Sequence, residues 1–158
     1  MSKLADVMHY ICINYPHPNE LSNARLTKMV YLSDWRHAVK NGEPITDIKW
    51  VFNHYGPFVD DVKNEAEENS AFKIDTVENY YGNPKRLISV VSKDKDTSLS
   101  DSEKATIDRV IDITKKKYWD DFIKLVYSTF PVMSQKRHSI LDLKELAAEY
   151  KIEKAEAG

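Results

Sequence analysis

The sequence has little cysteine, little glycine and no long apolar run. Its single cysteine, Cys12, excludes an internal disulfide and a cysteine-rich metal site. Its four glycines, at positions 42, 56, 82 and 158, are too scattered to build a glycine-rich phosphate-binding loop. No stretch approaches the roughly 18 apolar residues of a membrane span, and the first residues lack the apolar core of a signal peptide. We therefore expect a soluble, cytoplasmic protein without membrane association.

A large excess of either charge is also missing. The 158 residues include 23 Lys and Arg and 25 Asp and Glu, which gives a formal net charge of −2. This balance provides no broad basic surface for nucleic acid. Two local basic clusters, at positions 115–117 beside Tyr118 and Trp119 and at positions 136–138, could contact phosphates. Acidic residues flank the first cluster, and we do not expect nucleic-acid binding.

Helical patterns dominate what is present. Apolar residues recur every three or four positions from residue 4 to 15, 26 to 35, 59 to 69, 105 to 117, 118 to 130 and 139 to 154. Ser22 is a suitable N-cap for the second helix and Gly42 a left-handed C-cap. That helix is apolar over a wide arc, which predicts that it is the central, buried one. Ser100 and Glu103 have the spacing of a capping box.

The β signal is confined to two places. Alternation between residues 72 and 92, interrupted by Gly82, predicts an antiparallel hairpin. Residues 43–58 predict a short strand followed by a turn at Gly56-Pro57. The predicted fold is a mostly helical α+β domain, with about six helices around a central helix and a small β hairpin or sheet. Residues 1–150 form this single domain, and residues 151–158 are expected to be a frayed tail.

Two groups of polar side chains suggest chemistry. His9 and Cys12 lie three residues apart on the first helix and could pair as a nucleophile and its base, although Cys12 borders the apolar stripe and a buried structural thiol is favoured. Asp34, His37 and His54 could form a small hydrolytic or metal site. No HExxH sequence or pair of histidines four residues apart supports a metal. We predict no catalytic residue, no metal and no cofactor.

The aromatic residues are more informative. Nine tyrosines and three tryptophans are many for this length, and both types dominate protein interfaces as well as cores. Trp50, Phe52, Tyr55 and Phe58 cannot all lie on one inward face of a strand. Two interpretations stay open for them: a strand that is buried on both sides, or an interface with a partner.

One stretch of the sequence has a distinctive order of residues. A helix of the form L-x-K-x-x-Y is followed by a glycine that ends it, an isoleucine, and then tyrosine-glycine-proline. The positions that carry this pattern are Leu26, Lys28, Tyr31, Leu32, Trp35, Gly42, Ile45, Tyr55, Gly56 and Pro57. The pattern resembles the Panacea domain, also called the SocA-like antitoxin domain. Residues 125–150 resemble the closing segment of one branch of that family, so the resemblance covers about residues 2–150.

The resemblance implies a function that periodicity does not show. Members of this family look like antitoxins of type II toxin–antitoxin pairs, from bacteria or phages, which bind and neutralise a toxin encoded beside them. They partner with unrelated toxins, so the resemblance identifies neither the toxin nor its activity. It also implies protein–protein contact without catalysis. A homodimer is left open.

The predicted binding surface is the region around the turn. We expect Trp35, His37, His54, Tyr55 and Phe58 to border a shared surface or cleft that contacts the toxin. The open edges of the β hairpin are an alternative surface. Two alternative functions are a proteolytic adaptor that presents the toxin to an unfoldase, and a small hydrolytic or metal enzyme that uses the Asp34 group.

Overall fold

A computed structural model describes residues 2–93 and 97–157 of the chain. The seven α-helices of these residues are α1 Lys3–Asn14, α2 Asn23–Asn41, α3 Asp61–Glu68, α4 Asp101–Thr114, α5 Trp119–Tyr127, α6 Phe130–Ser134 and α7 Leu143–Ala157. The five strands in the same part of the chain are β1 Trp50–Asn53, β2 Gly56–Pro57, β3 Phe72–Glu78, β4 Pro84–Val90 and β5 Ile140–Leu141. The predicted class, a mostly helical α+β fold, is confirmed.

The central position predicted for the second helix is confirmed. α2 packs against α1, α3, α4 and α7, and 13 of its 19 residues are buried. The Ser22 hydroxyl accepts a hydrogen bond from the Arg25 N–H (3.1 Å), and Gly42 closes the helix with φ 87°. Only glycine adopts such a backbone conformation at low cost. The Ser100–Glu103 capping box at the start of α4 is also present.

The turn after β1 differs from the prediction. Gly56 and Pro57 do not form the turn; they form β2 and pair back onto β1, with Asn53 opposite Gly56 and Phe52 opposite Pro57. His54 and Tyr55 make the turn, and neither has a positive φ, while Gly56 has φ 95°. This is the arrangement of a tight turn followed by a left-handed glycine, in which the glycine absorbs the backbone strain.

The other edge of β1 is covered from the far end of the chain. β5 pairs antiparallel with β1, with Trp50 opposite Leu141 and Val51 opposite Ile140. Ile140 was predicted to lie in the last helix, but α7 begins only at Leu143. Two strand residues are too few to leave a pattern in the sequence, so only their pairing partner defines them.

The predicted hairpin between residues 72 and 92 is confirmed. β3 and β4 pair from Phe72 opposite Val90 to Glu78 opposite Pro84. β4 is also attached to the segment before α2, because the Ile88 N–H donates to the Leu21 carbonyl at 3.0 Å. One edge of this hairpin is therefore partly occupied within the chain.

Two details of the last third also differ from the prediction. The helix predicted for residues 118–130 ends at Tyr127, and Pro131 lies in the first turn of a separate helix, α6, where proline is well tolerated. α7 keeps helical geometry through Ala157. The frayed tail at residues 151–158 stays a prediction, because helical geometry does not measure fraying, and residue 158 lies outside the described part. No described helix has both the length and the apolar composition for a membrane span.

Candidate functional site

Asp34 ties the loop before β1 to the centre of α2. Its carboxylate is fully buried and accepts hydrogen bonds from the Ile45 N–H (3.1 Å), the Thr46 N–H (2.9 Å), the Thr46 hydroxyl (2.5 Å) and the Trp50 indole N–H (2.9 Å). Burial raises the pKa of the Asp34 carboxyl to about 6, while these hydrogen bonds act in the opposite direction. Four donors around one buried carboxylate are the arrangement of a structural anchor.

The aromatic residues of α2 lie in the core. The Tyr31 ring packs edge-on against Trp50, and its hydroxyl lies 2.7 Å from the Thr129 hydroxyl. Trp35 is buried, and it stacks on Phe130 with ring centroids 6.4 Å apart. Trp35 therefore contributes to packing between α2 and α6, away from the turn after β1.

The residues of the enzymatic alternative have separate partners. His37 is buried, and its Nδ1 lies 2.5 Å from the Glu43 carbonyl oxygen, to which it can donate. His54 is exposed in the turn, where its ring packs edge-on against Tyr55 at 4.7 Å. Asp34 bonds to neither histidine. Among the described residues, no group of three or more His, Cys, Asp or Glu side chains could hold a metal ion.

His9 and Cys12 also bond to different groups. The His9 Nε2 lies 2.9 Å from the Ser92 carbonyl oxygen, and the Cys12 thiol faces the Ile88 carbonyl oxygen at 3.9 Å. Burial raises the pKa of the Cys12 thiol to about 12. A nucleophilic cysteine needs a lowered pKa, so this environment is that of a packed, unreactive thiol.

An open cleft of about 510 Å³ lies between α2, α5 and the turn after β1. α5 contributes Trp119, Ile123 and Tyr127, which lie four residues apart and therefore share one face of the helix. α2 contributes Ala24 and Lys28, which also lie four residues apart. Both walls are thus built from the regular spacing of a helix, and rigid elements hold them in place.

The turn residues form the third wall. Asn53, His54, Tyr55 and Phe58 line the cleft, and the Tyr55 side chain is 75% exposed. Gly56 is buried beneath them, where a Cβ would lie 3.5 Å from the Tyr127 ring. The close approach of Tyr127 to the Gly56 backbone fixes the turn against α5.

Lys28 is the only lysine or arginine among the described residues that line this cleft. Its residue is 2% exposed, and its Nζ lies 5.1 Å from the centroid of the Phe58 ring. In the described part of the chain, it forms no ion pair and no hydrogen bond. Burial lowers the pKa of the Lys28 ammonium group to about 8. The interaction that the described residues give its ammonium group is therefore a cation–π contact with the Phe58 ring, which carries no compensating charge.

The five predicted contact residues do not all lie together. His54, Tyr55 and Phe58 line the cleft, whereas Trp35 and His37 are buried outside it. Sequence reasoning missed Trp119 and Tyr127 as wall residues. Trp119, Ile123 and Tyr127 are spaced four residues apart, which indicates a shared helix face. The sequence does not show that this face meets the turn after β1.

The chain belongs to the SocA-like antitoxin family. The model of the family described as "Antitoxin SocA-like, Panacea domain" matches residues 26–130, which is more than half of the chain. The match contains the whole of the turn, the Lys28 position and α5. Comparison with curated proteins gave no match, and comparison with solved structures gave none either.

Proposed function

We propose that this protein is an antitoxin that binds and neutralises a toxin encoded beside it, in the cytoplasm and through protein–protein contact. The observation that carries the proposal is the cleft, whose rim presents Tyr55 and Trp119 at 75% and 45% exposure. Membership of the SocA-like antitoxin family supports a toxin as the partner.

The exposed aromatic surface extends beyond the cleft. A second groove shares Ala24 and Trp119 with it and includes Tyr80, Tyr81 and Tyr118, all of which are exposed. Large aromatic side chains gain most from leaving water, and tyrosine and tryptophan are enriched among residues that dominate binding energy. Because the cleft and the groove share Ala24 and Trp119, they form one continuous surface that is large enough for several side chains of a partner.

A mechanism without chemistry is favoured by the state of the polar groups. The Asp34 carboxylate already accepts hydrogen bonds from Thr46 and Trp50. The His37 Nδ1 lies beside the Glu43 carbonyl oxygen, and burial keeps the Cys12 thiol protonated and unreactive. A catalytic group must reach both its partner and the reacting atoms. The proposed neutralisation therefore rests on covering the toxin's own functional surface.

The test is a growth assay with the product of the adjacent gene expressed from an inducible promoter. We expect this product to stop growth, and we expect the wild-type protein to bind it in a pull-down and to restore growth. Tyr55→Ala should weaken binding at least tenfold and leave stability within about 0.5 kcal/mol, because the side chain is exposed. Met133→Ala is the matched control, since Met133 is 73% exposed on α6, outside the cleft.

Two results would contradict the proposal. If the product of the adjacent gene does not stop growth and this protein does not bind it, the antitoxin proposal is wrong. Binding that is unchanged in Tyr55→Ala and in Trp119→Ala moves the interface away from the cleft. The lifetime of the toxin in the same cells separates direct inhibition, which leaves the lifetime unchanged, from an adaptor function, which shortens it.

A further inference from the structure

We infer that the cleft is a binding site for a carboxylate carried on an apolar group, and that Lys28 is the cation that receives it. The source of the carboxylate rests on the proposed function: it would be an acidic side chain or the C-terminal carboxylate of the toxin. The carboxylate specificity itself does not depend on a toxin and follows from the cleft alone.

Lys28 has no charged partner within the described part of the chain. A buried charge is costly unless it is paired or hydrogen-bonded. Lys28 is almost fully buried, and none of the described side chains forms an ion pair with it. The ammonium form still predominates at pH 7, because its pKa is lowered only to about 8. The protein therefore keeps, at the edge of an open cleft, a positive charge that no carboxylate of the described residues pairs with.

The described residues of the cleft walls offer Lys28 no compensating negative charge. The other titratable side chains that line the cleft are His54 and Tyr55 from the turn and Tyr127 from α5. None of the lining residues in the described part of the chain is an aspartate or a glutamate. An anion that enters the cleft thus meets a cation, and the described lining residues oppose it with no carboxylate.

Apolar and aromatic side chains make up most of the cleft walls. The Phe58 ring lies 5.1 Å from the ammonium group, and Trp119 and Ile123 add apolar surface to the same cleft. A single ammonium group matches the single charge of a carboxylate, and a charge-assisted hydrogen bond is strong where water is excluded. A phosphate carries more charge and usually takes several donors or a guanidinium fork. The volume of about 510 Å³ leaves room for an apolar body beside the carboxylate.

The neighbouring groove argues for a protein as the source. It is lined by Arg25, Lys85 and Arg86 against one acidic residue, Glu20. None of these cations has a carboxylate partner among the described residues, although Arg25 donates to the Thr114 and Lys117 carbonyls and Lys85 donates to the Asn19 carbonyl. The Glu20 carboxylate is already bonded to the Tyr15 hydroxyl at 2.8 Å. The local positive charge thus extends over two adjacent clefts, which complements an acidic surface on the toxin.

The test of carboxylate specificity uses the free protein and two probes of the same shape. NMR titrations with 3-phenylpropionate and with the neutral 3-phenylpropionamide are followed at the resonances of Tyr55 and Trp119. We expect the acid to bind at least tenfold tighter than the amide. Lys28→Met should remove this preference, and Lys116→Met, which changes an exposed lysine, should keep it. Equal binding of the two probes by the wild-type protein, or no binding of either, overturns the inference.

A second measurement needs no variant. Raising the pH from 7 to 9 crosses the pKa of Lys28, so the affinity for the acid should fall about tenfold while the affinity for the amide stays constant. His54, Tyr55 and Tyr127 are the other titratable groups that face Lys28 in the cleft. A preference for the acid that persists unchanged at pH 9 overturns the assignment to Lys28.

The source of the carboxylate is tested with the toxin. We expect 3-phenylpropionate to compete with the toxin, and we expect Lys28→Met to lose toxin binding at least tenfold. A toxin that binds Lys28→Met as tightly as the wild type overturns the toxin as the source and leaves a free carboxylic acid as the ligand. If this protein binds no product of an adjacent gene, the proposed antitoxin function is wrong. The titration with the two probes still tests the carboxylate site by itself.

Discussion

Asp34 and Lys28 are two buried ionisable side chains on the same helix, with opposite environments. Asp34 accepts four hydrogen bonds from the loop before β1 and from Trp50. Lys28 has the ring of Phe58 at 5.1 Å and lies beside an open cleft. The hydrogen bonds of Asp34 tie the loop before β1 to α2, although burial raises the pKa of its carboxyl to about 6. Lys28 has no ion pair or hydrogen bond within the described part of the chain, and it borders the cleft, where a partner from outside the chain can reach it.

The largest expected effect comes from removing the satisfied charge. Asp34→Ala leaves the Thr46 and Trp50 donors buried without an acceptor, so we expect the free energy of unfolding to fall by about 3–5 kcal/mol. Urea denaturation at pH 7 measures this change. Asp47→Ala, an exposed carboxylate in the same loop, is the control and should change stability by less than about 0.5 kcal/mol. A loss below about 1 kcal/mol in Asp34→Ala would remove its function as an anchor.

Removing the charge of Lys28 should change the free energy of unfolding in the opposite direction. Lys28→Met removes a buried cation and keeps the apolar stem, so we expect the protein to become more stable at pH 7, by about 1–3 kcal/mol. The same variant should lose affinity for the toxin. A variant that is more stable but binds the toxin more weakly is the result expected if Lys28 contacts the ligand. A destabilised Lys28→Met protein would contradict the comparison with Asp34.

The stabilising effect of Lys28→Met should depend on pH. The pKa of Lys28 is lowered in the folded state from 10.5 to about 8, so between these values the unfolded chain binds more protons than the folded one. Wild-type stability therefore rises with pH from about 8 to 10.5 relative to Lys28→Met, and the difference between the two proteins shrinks. Thermal unfolding at pH 7 and pH 10 measures it. A difference that is equal at both pH values would mean that Lys28 is not the group that titrates.

A smaller effect on stability is expected from two glycines, one at the end of α2 and one beside the cleft. Gly42 and Gly56 both have positive φ, so replacing either by alanine should cost about 1–2 kcal/mol of stability. A Cβ at either position has room, so the strain lies in the backbone, and at Gly56 that backbone follows directly on the turn residues that line the cleft. We expect Gly56→Ala to weaken toxin binding and Gly42→Ala to leave it unchanged. Equal binding by the two variants would show that the position of the turn is unimportant.

Sequence patterns were sufficient for the parts of the molecule that local interactions decide. α2, its caps at Ser22 and Gly42, and the β3–β4 hairpin follow from helix and strand periods and from capping chemistry. The strands β2 and β5 have two residues each and exist because β1 lies beside them. No local pattern marks them, so they were not predicted.

The candidate site was only partly predictable for a related reason. His54, Tyr55 and Phe58 are close in sequence and stay together in the cleft. Trp35 was expected at the surface, but Phe130 and Tyr150 cover it from elements about a hundred residues away along the chain. The isolation of Lys28 depends on three elements that meet in space, and a sequence does not show which charges lack partners.

The most direct test of the account is the ability of folded Lys28→Met protein to neutralise the toxin. The adjacent gene is expressed together with either the wild-type protein or Lys28→Met, and the folded state of the variant is confirmed by its unfolding transition. We predict that the wild type restores growth and that the folded, stabilised variant does not. Full rescue of growth by Lys28→Met would contradict the claim that the toxin is held through this cleft.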